Sequence, residues 1–266
     1  MNDWLHNLPL VWMALLAFGF TYLIAALIFS VVGVLAVGKR ARSFKAVSPG
    51  ILPPLGILFG LFVAFTASQV WSDSQAANEA VDREASALRT VVILASMFPG
   101  EAEAYLRSLV RDHIEEVANY EWPTMAHGTA NLRTIPHFLA EALHFTLELA
   151  PNTDGQRIAQ RDITTALGNA LDARRHRILI SRSGVNLVKW STLFLQAVCA
   201  LIAIAMVHID DRLASGITMA VFATGIAISV LLILAHDRPF TGAISVSPDP
   251  ILQVIPQAGP APPETN

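Results

Sequence analysis

Three groups of side chains in this 266-residue chain have types and spacings that could do chemistry. His137, Glu141 and His144 fall at i, i+4 and i+7, so on a helix they share one face and could present a divalent metal with two imidazoles and a carboxylate. A metal needs further ligands, and no nearby sequence supplies them. Two histidines on an amphipathic helix are more simply boundary residues, and the reading of the sequence is that the chain holds no metal. Asp112, His113 and Glu116 form a second group, read as a solvated helix face. The third is the run Asp82 to Arg89, DREASALR. It can be a charged ring or a set of ion pairs between subunits, or it can be an exposed helix surface whose opposite charges contribute little; the spacing alone does not choose.

Other chemistries are missing from the sequence. There is no Gly-rich phosphate loop, nucleophile elbow or paired Cys motif, so the chain reads as a non-enzyme without a cofactor. The single cysteine, Cys199, lies in an apolar run and reads as a small apolar residue. Arg174, Arg175 and Arg177 are read as marking a membrane surface, where bases favour anionic headgroups. With a net charge of -3 and its basic clusters beside apolar runs, the chain is not a nucleic-acid binder.

The elements that must carry these residues are set by composition. Hydrophobic residues are 53% and charged residues 15% of the chain, which is the signature of an integral membrane protein. Four uncharged stretches reach the length of about 20 residues needed to cross the hydrocarbon core: Leu8 to Gly38, Ile51 to Trp71, Trp190 to Ile209 and Leu213 to Ala235. The expected fold is all-α with four spans, divided as residues 1–71 (two spans and their loop), 72–189 (a helical insert), 190–238 (two more spans) and 239–266 (a Pro-rich tail, disordered from Pro256). The first run is about twice the length of a signal h-region and is preceded by Asp3 and no base, so it is read as a retained span. The spans contain no Asp, Glu, Lys or Arg, which argues against a proton relay or an ion-coupled transporter.

Orientation rests on the bases. Lys39, Arg40, Arg42 and Lys45 lie between the first two spans, but the insert side collects more, with Arg174, Arg175, Arg177, Arg182, Lys189, Arg83, Arg89 and Arg238. The positive-inside rule then places the insert in the cytoplasm.

The second span is the most telling segment, because it runs on from Gly60 into the polar sequence ending at Met97 without Pro or Gly. One helix is expected to leave the bilayer and continue into water. On it, Ile57, Leu61, Ala64, Ser68, Ser72 and Gln75 share a face that changes from apolar to polar, and Glu79 extends it. That is the order of a narrow hydrophobic neck opening into a wet vestibule. In the insert, Pro99-Gly100 ends the long helix. Leu106, Val110, Ile114 and Val117 then mark a helix face closed by Pro123, and Thr134 with Pro136 opens a helix through Leu149. From about Thr153 a last helix is expected to run into the third span.

The segment Pro54-Leu-Gly-Ile-Leu-Phe-Gly60-Leu-Phe-Val63 resembles the pore-lining second span of bestrophins. The DREASALR run, Glu121-Trp-Pro123, and Asp237-Arg-Pro-Phe-Thr-Gly242 with Ile244 to Pro248 are similar to the bacterial bestrophin-like membrane proteins. The resemblance covers most of the chain from about Leu55 to Pro250. It implies a homopentameric ion channel of the bacterial inner membrane, with lipid and permeant inorganic ions as its other partners. It carries the family's three neck positions onto Pro53, Ile57 and Leu61. Animal bestrophins have aromatic rings at the latter two, and their acidic calcium cluster after the fourth span has no counterpart near Asp237. Chloride and cation selectivity both remain open, since bacterial members can prefer cations. A non-conducting scaffold or signalling protein whose insert docks a partner fits the same composition.

Overall fold

The computed structural model describes residues 8–36, 49–133, 135–242 and 244–256. The described residues of the chain form two compact units, one from 8–36, 49–72, 184–238, 242 and 244, the other from 73–133, 135–183, 239–241 and 245–256. Among them there is no strand. The basic loop from Lys39 to Lys45, the acidic N-terminus, Thr134 and the last ten residues lie outside the described residues.

The first unit contains four helices long and apolar enough to cross a membrane. Helix α1 is Leu10–Leu35, and α2, Leu52–Ala95, follows a short 3-10 turn at Pro49–Ile51. Helices α7 (Leu187–Val207) and α8 (Arg212–His236) complete the set. Their core is made by Met13, Ala17 and Ala25 of α1, Phe59 and Val70 of α2, Trp190, Leu193 and Ala197 of α7, and Met219, Ala223 and Ile226 of α8. Alanines recur at these contacts because small side chains let helices approach where apolar surface alone gives no drive to associate in lipid. Tyr22 and Thr224 join α1 to α8 through their hydroxyls, 2.7 Å apart. The outward faces of α1 keep large apolar side chains such as Val11, Leu23 and Val34 exposed, as a lipid-facing helix should. Asn186 and Asp211 cap α7 and α8, accepting bonds from Lys189 N and from Leu213 N and Ala214 N; each cap satisfies amide donors that helical geometry leaves unpaired.

The second unit holds the rest of α2 with α3 (Glu101–Glu116), a π turn (Val117–Glu121), α4 (Trp122–Ala126), α5 (His137–Glu148), α6 (Asp154–Ser181) and a short α9 (Asp249–Leu252). Leu106, Val110, Ile114 and Val117 are all buried, so the expected face of α3 is the observed one. They pack with Leu88 and Val91 of α2, Leu139 of α5, and Ile163 and Leu167 of α6. The break after α2 uses Gly100 at φ 96°, a region that a side chain disfavours.

Two expectations are corrected here. Pro123 does not close its helix: the chain widens into the π turn and winds on to Ala126, an arrangement in which the missing proline N–H costs no regular ladder bond. Helix α6 does not enter the third span either, but stops at Ser181. Ser183, Gly184 and the Asn186 cap interrupt it, and the Asp237 carboxylate accepts from Val185 N. The Pro-rich segment after Pro239, which shows no periodicity, is packed through Phe240, Val246, Ile251 and Val254. Arg111 Nη2 holds its far end by donating to Pro256 O at 2.7 Å.

Candidate functional site

Helix α2 has two faces of opposite character. Phe59, Thr66 and Val70 are buried in the first unit, and Ala77, Val81, Glu84 and Leu88 in the second. On the other side Pro53, Ile57, Leu61, Ala64, Ser68 and Ser72 are all exposed within the first unit, and Gln75 and Glu79 within the second. Ile57 keeps 68% and Leu61 51% of its surface. The helix begins at Leu52 with Pro53 and Pro54 in its first turn, where no intrahelical N–H is required. Gly56 and Gly60 have open space where a Cβ would stand, so the packing of a single chain does not demand them. Gln75 Nε2 donates to Glu79 Oε1 at 3.1 Å. Arg83 instead folds back onto Glu79 O at 3.1 Å and lines a groove of about 1170 Å³ between α2 and α6. The groove also presents Asp162, Asp172, Arg175 and His176. Near the end of the apolar run Lys189 donates to Gln69, and Trp71 stacks on His236 with ring centres 6.0 Å apart.

The second unit contains a buried charge cluster that the sequence did not announce. Arg177 is fully buried on α6 and donates to both oxygens of Glu84 on α2, from Nε at 2.8 Å and Nη2 at 3.1 Å. The same Nη2 reaches Glu121 Oε2 at 2.9 Å. Arg174, one turn earlier, donates to Glu121 Oε1 from Nε at 2.6 Å and from Nη2. His113 Nε2 lies 3.2 Å from Glu84 Oε1, and the Trp122 ring covers the Arg177 guanidinium at 5.3 Å. Two carboxylates thus meet two guanidinium groups, and their formal charges cancel. Burial alone would raise the Glu84 pKa, but Arg177 and the bonds from His113 and Arg177 outweigh it and hold the carboxyl down at about 2. Burial likewise disfavours the Arg177 charge, yet Glu84 and Glu121 push its pKa up.

These positions correct two sequence readings. Arg174 and Arg177 are not membrane-surface bases; only Arg175 of that cluster is exposed. His113 is not on a solvated face but fully buried. A signal for both existed in the pattern. His113 falls in the apolar stripe of α3 with Leu106 and Val117, Glu84 in that of α2 with Val81 and Leu88, and Arg174 and Arg177 in that of α6 with Ile163, Leu167 and Ala170. Ionisable residues of balancing sign that interrupt apolar stripes on different helices are candidates for one another's partners.

The other groups stay apart. Glu141 accepts a bond from Tyr105 at 3.4 Å, and His144 faces Glu148 at 3.5 Å. No group of three metal-ligating side chains forms among the described residues. Cys199 is exposed on α7. Of the DREASALR run, Glu84, Ala85, Ala87 and Leu88 are buried while Asp82, Arg83, Ser86 and Arg89 are exposed, so the run is neither wholly a surface nor wholly a ring.

Among curated proteins, none matches this chain. Among solved structures, a bacterial bestrophin homologue from Klebsiella pneumoniae, in a single-site mutant form, superposes with a TM-score of 0.71 at 14% identity over 90% of this chain and 97% of that one. A second crystal structure of a Klebsiella pneumoniae bestrophin homologue, obtained by zinc anomalous phasing, gives a TM-score of 0.67 at 15% identity over 89% and 94% of the two chains. At such identities the likeness establishes the fold. The model of the bestrophin-like domain matches residues 9–251, nearly the whole sequence, and the chain therefore belongs to the bestrophin-like family.

Proposed function

We propose that this protein is a passive ion channel, a homopentamer in which one α2 from each subunit lines a central pore. The observation that carries this reading is the line Pro53, Ile57, Leu61, Ala64, Ser68, Ser72, Gln75 and Glu79, exposed along its whole length while the opposite face of the same helix is buried. Within the apolar run a lipid-facing surface gives no reason for Ser68, whereas an aqueous axis does, and Ser72, Gln75 and Glu79 continue the same line into the insert. Pro53, Ile57 and Leu61 form the hydrophobic neck, narrow enough to control wetting, and the polar residues beyond it line the vestibule. The open space beside Gly56 and Gly60 leaves room for a neighbouring helix, and the charged groove between α2 and α6 offers a flank for the next subunit. A ring of Glu79 carboxylates concentrates cations, which favours a cation-permeable or weakly selective pore. Arg175, Arg182 and Lys189 on the insert side support an insert in the cytoplasm and residence in the bacterial inner membrane.

The test is flux through reconstituted liposomes. Ile57→Ala combined with Leu61→Ala widens the neck and raises flux several-fold over the parent. Equal silence of parent and variant, with both still folded and oligomeric, would remove the neck assignment.

A further inference from the structure

Beside the buried charge cluster lies a second, smaller space that conduction does not use. It has a volume of about 250 Å³, and its walls include Glu116, Glu121, Thr124, Thr129, Asn131 and Arg174. Of these, the Glu121 carboxylate is spent, since Arg174 occupies one oxygen and Arg177 the other. The Glu116 carboxylate is not. Its Oε2 is sealed from solvent and has no hydrogen-bond partner among the described residues. A shielded carboxylate oxygen left without a donor is costly, and the usual resolution is a bound water or ion.

The wall chemistry distinguishes between ligands. The Thr124 hydroxyl donates to Glu121 O at 2.7 Å and the Thr129 hydroxyl to Thr124 O at 3.2 Å. With their protons committed, both oxygens offer only lone pairs. Asn131 Oδ1 accepts from Arg133 N at 3.0 Å and keeps a second lone pair. Arg174 is the one cation on the walls among the described residues, and Glu121 pairs with it. Glu116 therefore gives the walls a buried carboxylate oxygen without a donor, among neutral oxygens. We propose that this space is a binding site for a monovalent alkali cation, held by Glu116 and neutral oxygens and retaining part of its water shell. A volume several times that of one water molecule, about 30 Å³, accommodates the ion with those waters. Hard oxygen donors suit an alkali or alkaline-earth ion, and a single free carboxylate suits a single charge; divalent sites on protein oxygens gather more carboxylates.

The site is independent of the pore reading, and its test does not depend on conduction. Crystals of the full-length protein soaked in rubidium chloride should show an anomalous peak beside Glu116, absent in Glu116→Gln. In solution at constant ionic strength, replacing choline chloride by potassium or sodium chloride should raise the parent's unfolding midpoint by roughly 2–5 °C and leave Glu116→Gln unmoved. A parent without a rubidium peak, or with the same midpoint in choline and potassium, would overturn the proposal and leave water as the occupant. A response to calcium or magnesium chloride but not to the alkali salts would overturn the assignment of charge.

Discussion

The two parts of α2 share apolar packing and differ in one added contact. In the first unit the helix is fixed by apolar contact, with Phe59 and Val70 set among Trp190, Leu193, Met219 and Ala223. In the second it packs through Val81, Leu88 and Val91 and is held in addition by a charge, Glu84, clasped by Arg177 and His113 where all three side chains are fully buried. Apolar contacts tolerate sliding and small changes of volume. A forked guanidinium on a carboxylate does not, because both hydrogen bonds must be made together or two buried charges are left unpaired. The clasp is a fully buried contact, whereas the line on α2 is exposed within the chain. Substitutions at the clasp should therefore unfold the protein, and substitutions on the line should change transport while sparing the fold.

The largest effect is expected from Arg177→Gln. It leaves Glu84 without its cation and Glu121 with one fewer, and breaking a buried pair in this way costs about 3–5 kcal/mol. Urea or thermal unfolding of the purified protein should show that loss. A change below about 1 kcal/mol would mean that the clasp does not fix the insert.

Acid provides a second, graded way to break the same contact. Glu84 has a pKa of about 2 in the folded chain against an ordinary value of 4.5, so the folded state binds the proton more weakly than the unfolded state does. The stabilisation from this group is complete above the unfolded value and is lost as pH falls from about 4.5 toward 2. Glu84→Gln should lower stability at neutral pH and flatten that part of the pH profile relative to the parent. Parallel profiles for the two proteins would contradict the buried carboxylate.

The line on α2 should behave in the opposite manner. The Ile57 and Leu61 double alanine variant removes side chains that are already more than half exposed, so its stability should stay within about 1 kcal/mol of the parent even as flux rises. A loss as large as that of Arg177→Gln would show that the line is structural.

The smallest expected effect is electrical. Glu79→Gln should shift the reversal potential in a salt gradient by a few millivolts toward anions, since it removes one like-charged ring from the path. An unchanged potential would place Glu79 outside the conduction path, and a strongly anion-selective parent would contradict the cation reading.

The sequence disclosed these regions unequally, for a physical reason. Spans are legible because about 20 apolar residues are needed to cross lipid, and all four helices appear within a few residues of the expected bounds. The exposed line of α2 was legible from spacing alone, since helical geometry puts residues three and four apart on one face. The clasp was not, because a charged side chain is ordinarily a surface one. Arg174 and Arg177 sat next to Arg175, and the cluster read as a basic patch. Their places in apolar stripes mark them as candidates for burial, but which residue pairs with which is set across 53 and 93 positions of sequence, and that no local pattern encodes. The end of α6 failed for a smaller reason: Gly184 alone is a weak local stop signal, and the bond from Val185 N to Asp237 that secures the break joins distant segments.

A cysteine scan in a Cys199→Ser background asks whether the exposed face of α2 is the wall of a water-filled path. Single cysteines at Ile57, Leu61, Ala64, Ser68, Ser72 and Gln75, with Phe59, Thr66 and Val70 as controls, are treated with a charged thiol reagent while ion flux is recorded in proteoliposomes. Inhibition is expected at the exposed positions, recurring every three or four residues, and none at the controls. Inhibition at the controls with the exposed positions insensitive, or no periodicity in a conducting protein, would contradict a pore wall on this face.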